Sequence, residues 1–198
     1  MPATSTLQPD RYHRGDTGDF RQVDSSGNDN AVLGWAGGVV YRTVAAGTAL
    51  TASDTETLLG SFSIPADTLV AGSVIKLRYQ GIVTASNSTD TLTVKVYIGG
   101  LAGTAILTGT ATDAANSDIF EGEALIQIRT AGESGTFVAV GSHVDVPEAS
   151  GTAVRVVESL GSTAIDTTAA QVVGVAGTWS TTNAGNSCRL DIMVVEIY

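Results

Sequence analysis

The sequence predicts an all-β protein: an antiparallel two-sheet, jelly-roll-like sandwich preceded by an extended N-terminal arm. Three observations predict it. Short runs rich in Val, Ile and Thr alternate between apolar and polar side chains, the period of a half-buried strand. No stretch of 11 or more residues keeps a 3.6-residue apolar period over a charged face. Clusters of Gly, Asn, Ser and Asp separate the runs at even spacing, with no helix between them, which favours a sandwich or barrel over a parallel sheet. The chain of 198 residues is the size of one such domain plus an arm.

Residues 1–38 form the arm. The segment QPDRYHRGDTGDFRQVDSSGNDN is polar and turn-rich, with neither strand nor helix period, the composition of a segment that is either disordered or takes its shape from a partner. GWAGG, around Trp35, is a joint before the first strand. The sandwich occupies residues 39–198. VVYRTVA (39–45) opens it, and ETLLGSFSI (56–64) follows and is ended by Pro65, which lacks the N–H that a ladder requires. In SVIKLRYQGIVT (73–84), Ile75, Leu77 and Tyr79 face inward and Lys76, Arg78 and Gln80 outward, with a bulge or bend at Gly81. TLTVKVYIG (91–99) places Leu92, Val94, Val96 and Ile98 on the core face, and SNSTD before it predicts a hairpin with its predecessor. Further strands are TAILTGTA (104–111), IFEGEALIQIRT (119–130), GTFVAVGSHVDV (135–146), TAVRVVES (152–159), AQVVGVAGTWS (170–180) and CRLDIMVVEIY (188–198). About ten strands with no fixed repeat fit a jelly roll; an immunoglobulin-like sandwich is the second choice, without its paired cysteines.

Charge narrows the function. The net charge is −10, and residues after 42 carry six basic against fifteen acidic side chains. Such a body repels phosphate backbones, so no nucleic-acid partner is expected. No run of 18 apolar residues exists to span a membrane, and MPATSTLQPD lacks the positive start and apolar core of a signal peptide. Cys188 is the sole cysteine, which excludes an internal disulfide and a CxxC metal site; alternating with Leu190 and Ile192, it reads as a small buried hydrophobe.

Motifs that carry chemistry are scarce. Ser142, His143 and Asp145 lie close in sequence, but strand neighbours point to opposite faces, and no GxSxG elbow is present. A hydrolase is therefore not expected, and His143 reads as a partly exposed strand histidine. Glu121 and Glu123 share a strand face opposite Phe120, Gly122, Ala124 and Ile126, which leaves both carboxylates in solvent, where their pKa is ill-suited to glycosidic acid catalysis. DSSGNDN (24–30) has its glycine at the fourth position and no closing Glu, so it reads as a turn rather than a calcium loop. RGD (14–16) and NST (87–89) are short enough to arise by chance. No catalytic residue, metal ligand or cofactor is assigned.

SFSIPADTLVAGSVIKLRYQGIVTASNSTDTLTVKVYIGG (61–100) resembles segments of tailed-bacteriophage structural proteins: a strand ending in an IPA-type stop, TL-x-AG, a second alternating strand, and a third ending in YIGG. The likeness covers about 40 residues and its motifs are structural, so it transfers no catalytic residues. It implies a jelly-roll virion protein, either a capsid decoration (cement) protein or a tail-fibre or receptor-binding module. For a decoration protein it implies a trimer on the outside of the head shell, with the major capsid protein as partner. In that role the arm is the gripping element, through Arg11, Tyr12, Arg14, Phe20, Arg21 and Trp35, since Arg and aromatic side chains dominate interfaces.

Overall fold

The computed structural model describes residues 11–13, 20–23, 29–31, 38–85, 89–146 and 153–198. Every regular element among them is a strand, and no helix there is long and apolar enough to cross a membrane. The chain divides into two units, Met1–Gly38 with Tyr198, and Val39–Ile197.

In the first unit, β1 (Arg11–His13), β2 (Phe20–Val23) and β3 (Asp29–Ala31) pair antiparallel in that order. This corrects the expectation of no regular structure there. Strands of three and four residues are too short to show an alternating period, so their polar composition hid them. Tyr12 stands opposite Arg21 and His13 opposite Phe20. The RGD motif, most of DSSGNDN, and Arg14 and Trp35 lie outside the described residues, as does most of NST.

The second unit is a sandwich of two antiparallel sheets. Its strands are β4 (Gly38–Arg42), β5 (Leu50–Thr51), β6 (Thr57–Ile64), β7 (Val74–Thr84), β8 (Thr91–Ile98) and β9 (Thr104–Thr108). They continue as β10 (Thr112–Asp113), β11 (Ile119–Thr130), β12 (Gly135–Val146), β13 (Val154–Ile165), β14 (Gln171–Trp179) and β15 (Ser187–Ile197). The larger sheet runs β13-β12-β11-β7-β15-β4, with β5 on β15; the smaller runs β10-β8-β14-β6, with β9 on β8. Alternation explains why the sheets close on each other. Leu92, Val94, Val96 and Ile98 of β8 meet Ile75, Leu77 and Tyr79 of β7 and Ala124 and Ile126 of β11 in one apolar core.

Two details differ from the sequence pattern. β7 and β8 are not a hairpin: the segment between them crosses from the larger sheet to the smaller, where β8 pairs with β14. Both strands carry one apolar face, and facing each other across the core buries both. The crossing is anchored by Asp90, 3% exposed, whose Oδ2 accepts from Asn183 Nδ2 at 3.0 Å and Asn186 Nδ2 at 2.9 Å. Nor is Gly81 bulged. The irregularity lies in its partner strand, between Leu190 and Ile192. Gly81 is glycine because a Cβ there would collide with the Phe120 ring and the Arg189 carbonyl.

Candidate interaction surface

The only histidine on a sandwich strand is built into the core. His143 is 1% exposed, not partly exposed as its sequence suggests. Inward positions of β12 are the odd ones, so His143 and Asp145 share the core face while Ser142 lies on the outer face. Tyr79 Oη lies 2.9 Å from His143 Nδ1, and His143 Nε2 lies 3.1 Å from Asp145 Oδ1. A carboxylate only accepts, so Nε2 carries a proton and donates to Asp145; in the neutral ring Nδ1 then accepts from the Tyr79 hydroxyl. Gly122 makes room for that hydroxyl, which occupies the space a Cβ would take. Phe120 packs against both rings, with centroids 6.5 Å from Tyr79 and 6.3 Å from His143. Burial, reinforced by the charge of Asp145, pushes the Tyr79 hydroxyl far above the ordinary tyrosine range. The chain Tyr79–His143–Asp145 therefore ties β7 to β12 across β11 within the larger sheet.

The other chemistry candidates resolve the same way. Glu121 and Glu123 are exposed on the outer face, with Phe120, Ala124 and Ile126 fully buried behind them. Cys188 is buried, and that burial pushes its thiol up to about 12, the Trp179 indole offsetting a little. At one end the sheets part around a cleft of about 330 Å³ lined by Val83, Leu92, Asp118 and Asp145 among others. Among the described residues, no group of His, Cys, Asp and Glu is placed to hold a metal ion.

The surface that stands out is the outer face of the larger sheet. Register places its side chains in rows running from β13 to β15. One row is Arg155, Val144, Glu121, Gln80 and Ile192; the next is Val157, Ser142, Glu123, Arg78 and Val194. A third is Ser159, Val140, Leu125, Lys76 and Glu196. Large apolar side chains on this face are left in solvent: Val157 at 60%, Ile192 at 47%, Val140 at 43% and Leu125 at 40%. Exposed apolar groups among polar ones on one sheet face are a mark of interaction sites; here Leu125 and Val140 are register partners, and Val157 and Ile192 stand toward the two sides of the face. The first two rows frame a shallow depression of about 590 Å³. Among the described residues, none of Arg78, Glu121, Glu123 and Arg155 is in an ion pair.

Of the arm residues, Arg11 and Tyr12 fall on β1 and Phe20 and Arg21 on β2. In IMVVEIY apolar residues occupy both parities of one strand, a sequence signal for self-assembly; the pattern did not show that it falls on the outer face of the larger sheet.

No family model and no curated protein matches the chain. Among solved structures, it is similar to a chain of infectious bursal disease virus, Gt strain, at 13% identity and a TM-score of 0.40, covering 94% of this chain and 41% of that one. A mutant VP2 protein of the same virus, from derived T=1 particles, gives 15% identity and a TM-score of 0.38, with 90% and 37% covered. The lectin UEA-II complexed with galactose gives 9% identity and a TM-score of 0.36, with 89% of each chain covered. This chain spans about two fifths of the length of the viral chains. At TM-scores this low, the likenesses say nothing about what this chain binds.

Proposed function

We propose that this chain is a structural protein of a virus particle, and within that class a capsid decoration protein seated on the outside of a head shell. The observation that carries the proposal is the outer face of the larger sheet, where a rigid frame of five strands presents exposed Val157, Ile192, Val140 and Leu125 among charged side chains. A protein of this kind works by area: strands supply the platform, and burial against neighbours supplies affinity. The likeness of residues 61–100 to tailed-phage structural proteins supports the same class. The N-terminal segment is the grip on the major capsid protein, with Arg11, Tyr12, Arg14, Phe20, Arg21 and Trp35 as anchors.

The test is the position and copy number of the chain in purified particles, by quantitative mass spectrometry and electron cryomicroscopy. Hundreds of copies on the head are expected, and absence from the particle would overturn the proposal. One observation favours a second function, a fibre or receptor-binding module recognising a surface glycan: the depression on the outer face, with Arg78, Glu121, Glu123 and Ser142 around it. A handful of copies at the tail would decide for that module.

A further inference from the structure

We infer that the outer face of the larger sheet docks against the same face of a second copy of this chain, about a two-fold axis parallel to the strands and lying between β7 and β11. The inference deepens the assembly role proposed above by naming the partner and the surface.

Its basis is the arrangement of the rows. A two-fold axis along the strands turns one sheet over onto the other while keeping each row at its own height. With the axis between β7 and β11, β11 of one copy lies over β7 of the other, and β12 lies over β15. Glu123 then faces Arg78 of the second copy, and Arg78 faces its Glu123. Val144 meets Ile192, and Glu121 meets Gln80. In the third row Leu125 lies over the apolar stem of Lys76, a contact that long cationic side chains make readily. No like charges meet in these three rows. Aligned sheet packing keeps strand directions within about 30°, so the pairing at the centre of the face survives the twist.

Charge points to the same occupant. The whole chain carries −10, a general obstacle to self-association, yet the three rows hold Lys76, Arg78 and Arg155 against Glu121, Glu123 and Glu196 and are neutral. Two copies of an acidic chain can approach through this face without like charges meeting across its three rows. The area is adequate as well. The four strands β12, β11, β7 and β15 overlap fully; about 4.8 Å apart and each contributing about nine residues, they span about 570 Å², and β13 over the short β4 adds to that toward the roughly 800 Å² per partner of a stable interface. The trimer implied by the phage resemblance is different in kind. A contact repeated about a three-fold axis joins two unlike patches, whereas this face is complementary to itself.

The experiment is sedimentation of the purified full-length protein at micromolar concentration, away from any particle, so that its outcome is independent of where the chain sits in a virion. A dimer, or a larger even-numbered assembly, is expected. Arg78→Glu and Glu123→Arg singly should each weaken association by about tenfold or more, and the double swap should restore it. Val144→Asp should abolish it. Thermal unfolding of each variant checks that the monomer still folds, and a second variant at the rim, Ile192→Asp, serves if one fails. A monomeric or trimeric wild-type protein would overturn the inference. So would single reversals without effect, or a double swap no better than the singles.

Discussion

Tyr79→Phe removes one oxygen from the centre of the larger sheet, and the structure sets the cost. The hydroxyl donates to His143 Nδ1 at 2.9 Å, and among the described residues no other donor reaches that nitrogen. With the imidazole 1% exposed, water cannot replace the lost partner. A buried acceptor left unpaired costs about 1–3 kcal/mol, rather than the smaller net value of an average hydrogen bond. In a chain of this size each kcal/mol lowers Tm by about 2–4 °C. His143→Leu should cost more, since it strands both the Tyr79 hydroxyl and Asp145, whose Oδ2 already has no partner. The double variant Tyr79→Phe/His143→Leu should lose less than the sum, because the hydroxyl stranded by the second change is gone. Urea unfolding followed by circular dichroism measures all three, at one protein concentration, because self-association raises apparent stability. A Tyr79→Phe protein within about 0.5 kcal/mol of the wild type, or strict additivity in the double variant, would refute the buried chain.

Three further outcomes are expected. Val94→Ala deletes two buried methyl groups, costing about 1.6 kcal/mol in transfer and up to about 1 kcal/mol more for the cavity; Val157→Ala, at 60% exposure, should stay within about 0.5 kcal/mol. Equal losses in the two would mean that the core face has been assigned wrongly. Hydrogen bonds from Asn186 and then Asn183 hold the Asp90 carboxyl below the usual carboxylate range. Its contribution is therefore complete above the unfolded pKa of about 4 and disappears as pH falls through the folded value. The Tm gap between wild type and Asp90→Ala should accordingly be wide at neutral pH and narrow in acid; a gap constant down to pH about 2 would exclude the linkage. Deleting residues 2–34 should leave the sandwich folded and abolish retention on particles in a pelleting assay, whereas undiminished decoration would move the grip onto the sandwich.

How much of this was legible depended on period. Strands β11 and β12 are long, alternate cleanly and end at turn residues, and both sets of bounds match the pattern, 119–130 and 135–146. Strands β1 to β3, β5 and β10 are five residues or fewer and left no periodic trace. β13 runs on to Ile165, beyond the expected end at 159, because LGSTA on an edge strand needs no alternating apolar residues to be held by backbone pairing. The β7–β8 connection was misjudged for a different reason. A polar turn between two strands specifies a reversal, but not whether the second strand returns beside the first or across the core from it. His143 was misjudged because histidine composition suggests solvent; its spacing of two from Asp145 already placed the pair on one face.

The strand that separates folding from assembly is β15. Its inward residues Leu190, Met193, Val195 and Ile197 are buried in the core, and its outward ones, Ile192 and Val194, are apolar too. A strand apolar on both faces is normally one covered on both sides. Here the fold covers only one. Substitution of Met193 or Val195 should therefore lower stability in the isolated monomer, as any core cavity does, whereas substitution of Ile192 should leave that stability intact and act only where a second layer of protein is present. The bulge between Leu190 and Ile192 adds to the distinction, since one extra residue in β15 sets the parity that turns Ile192 outward. Without it, the sequence DIMVVEI would present Met193 and Val195 to solvent and bury Glu196, an arrangement the charge of Glu196 forbids. The register of this strand is thus held by the burial cost of one carboxylate, and that same register exposes the apolar residues from which assembly is inferred.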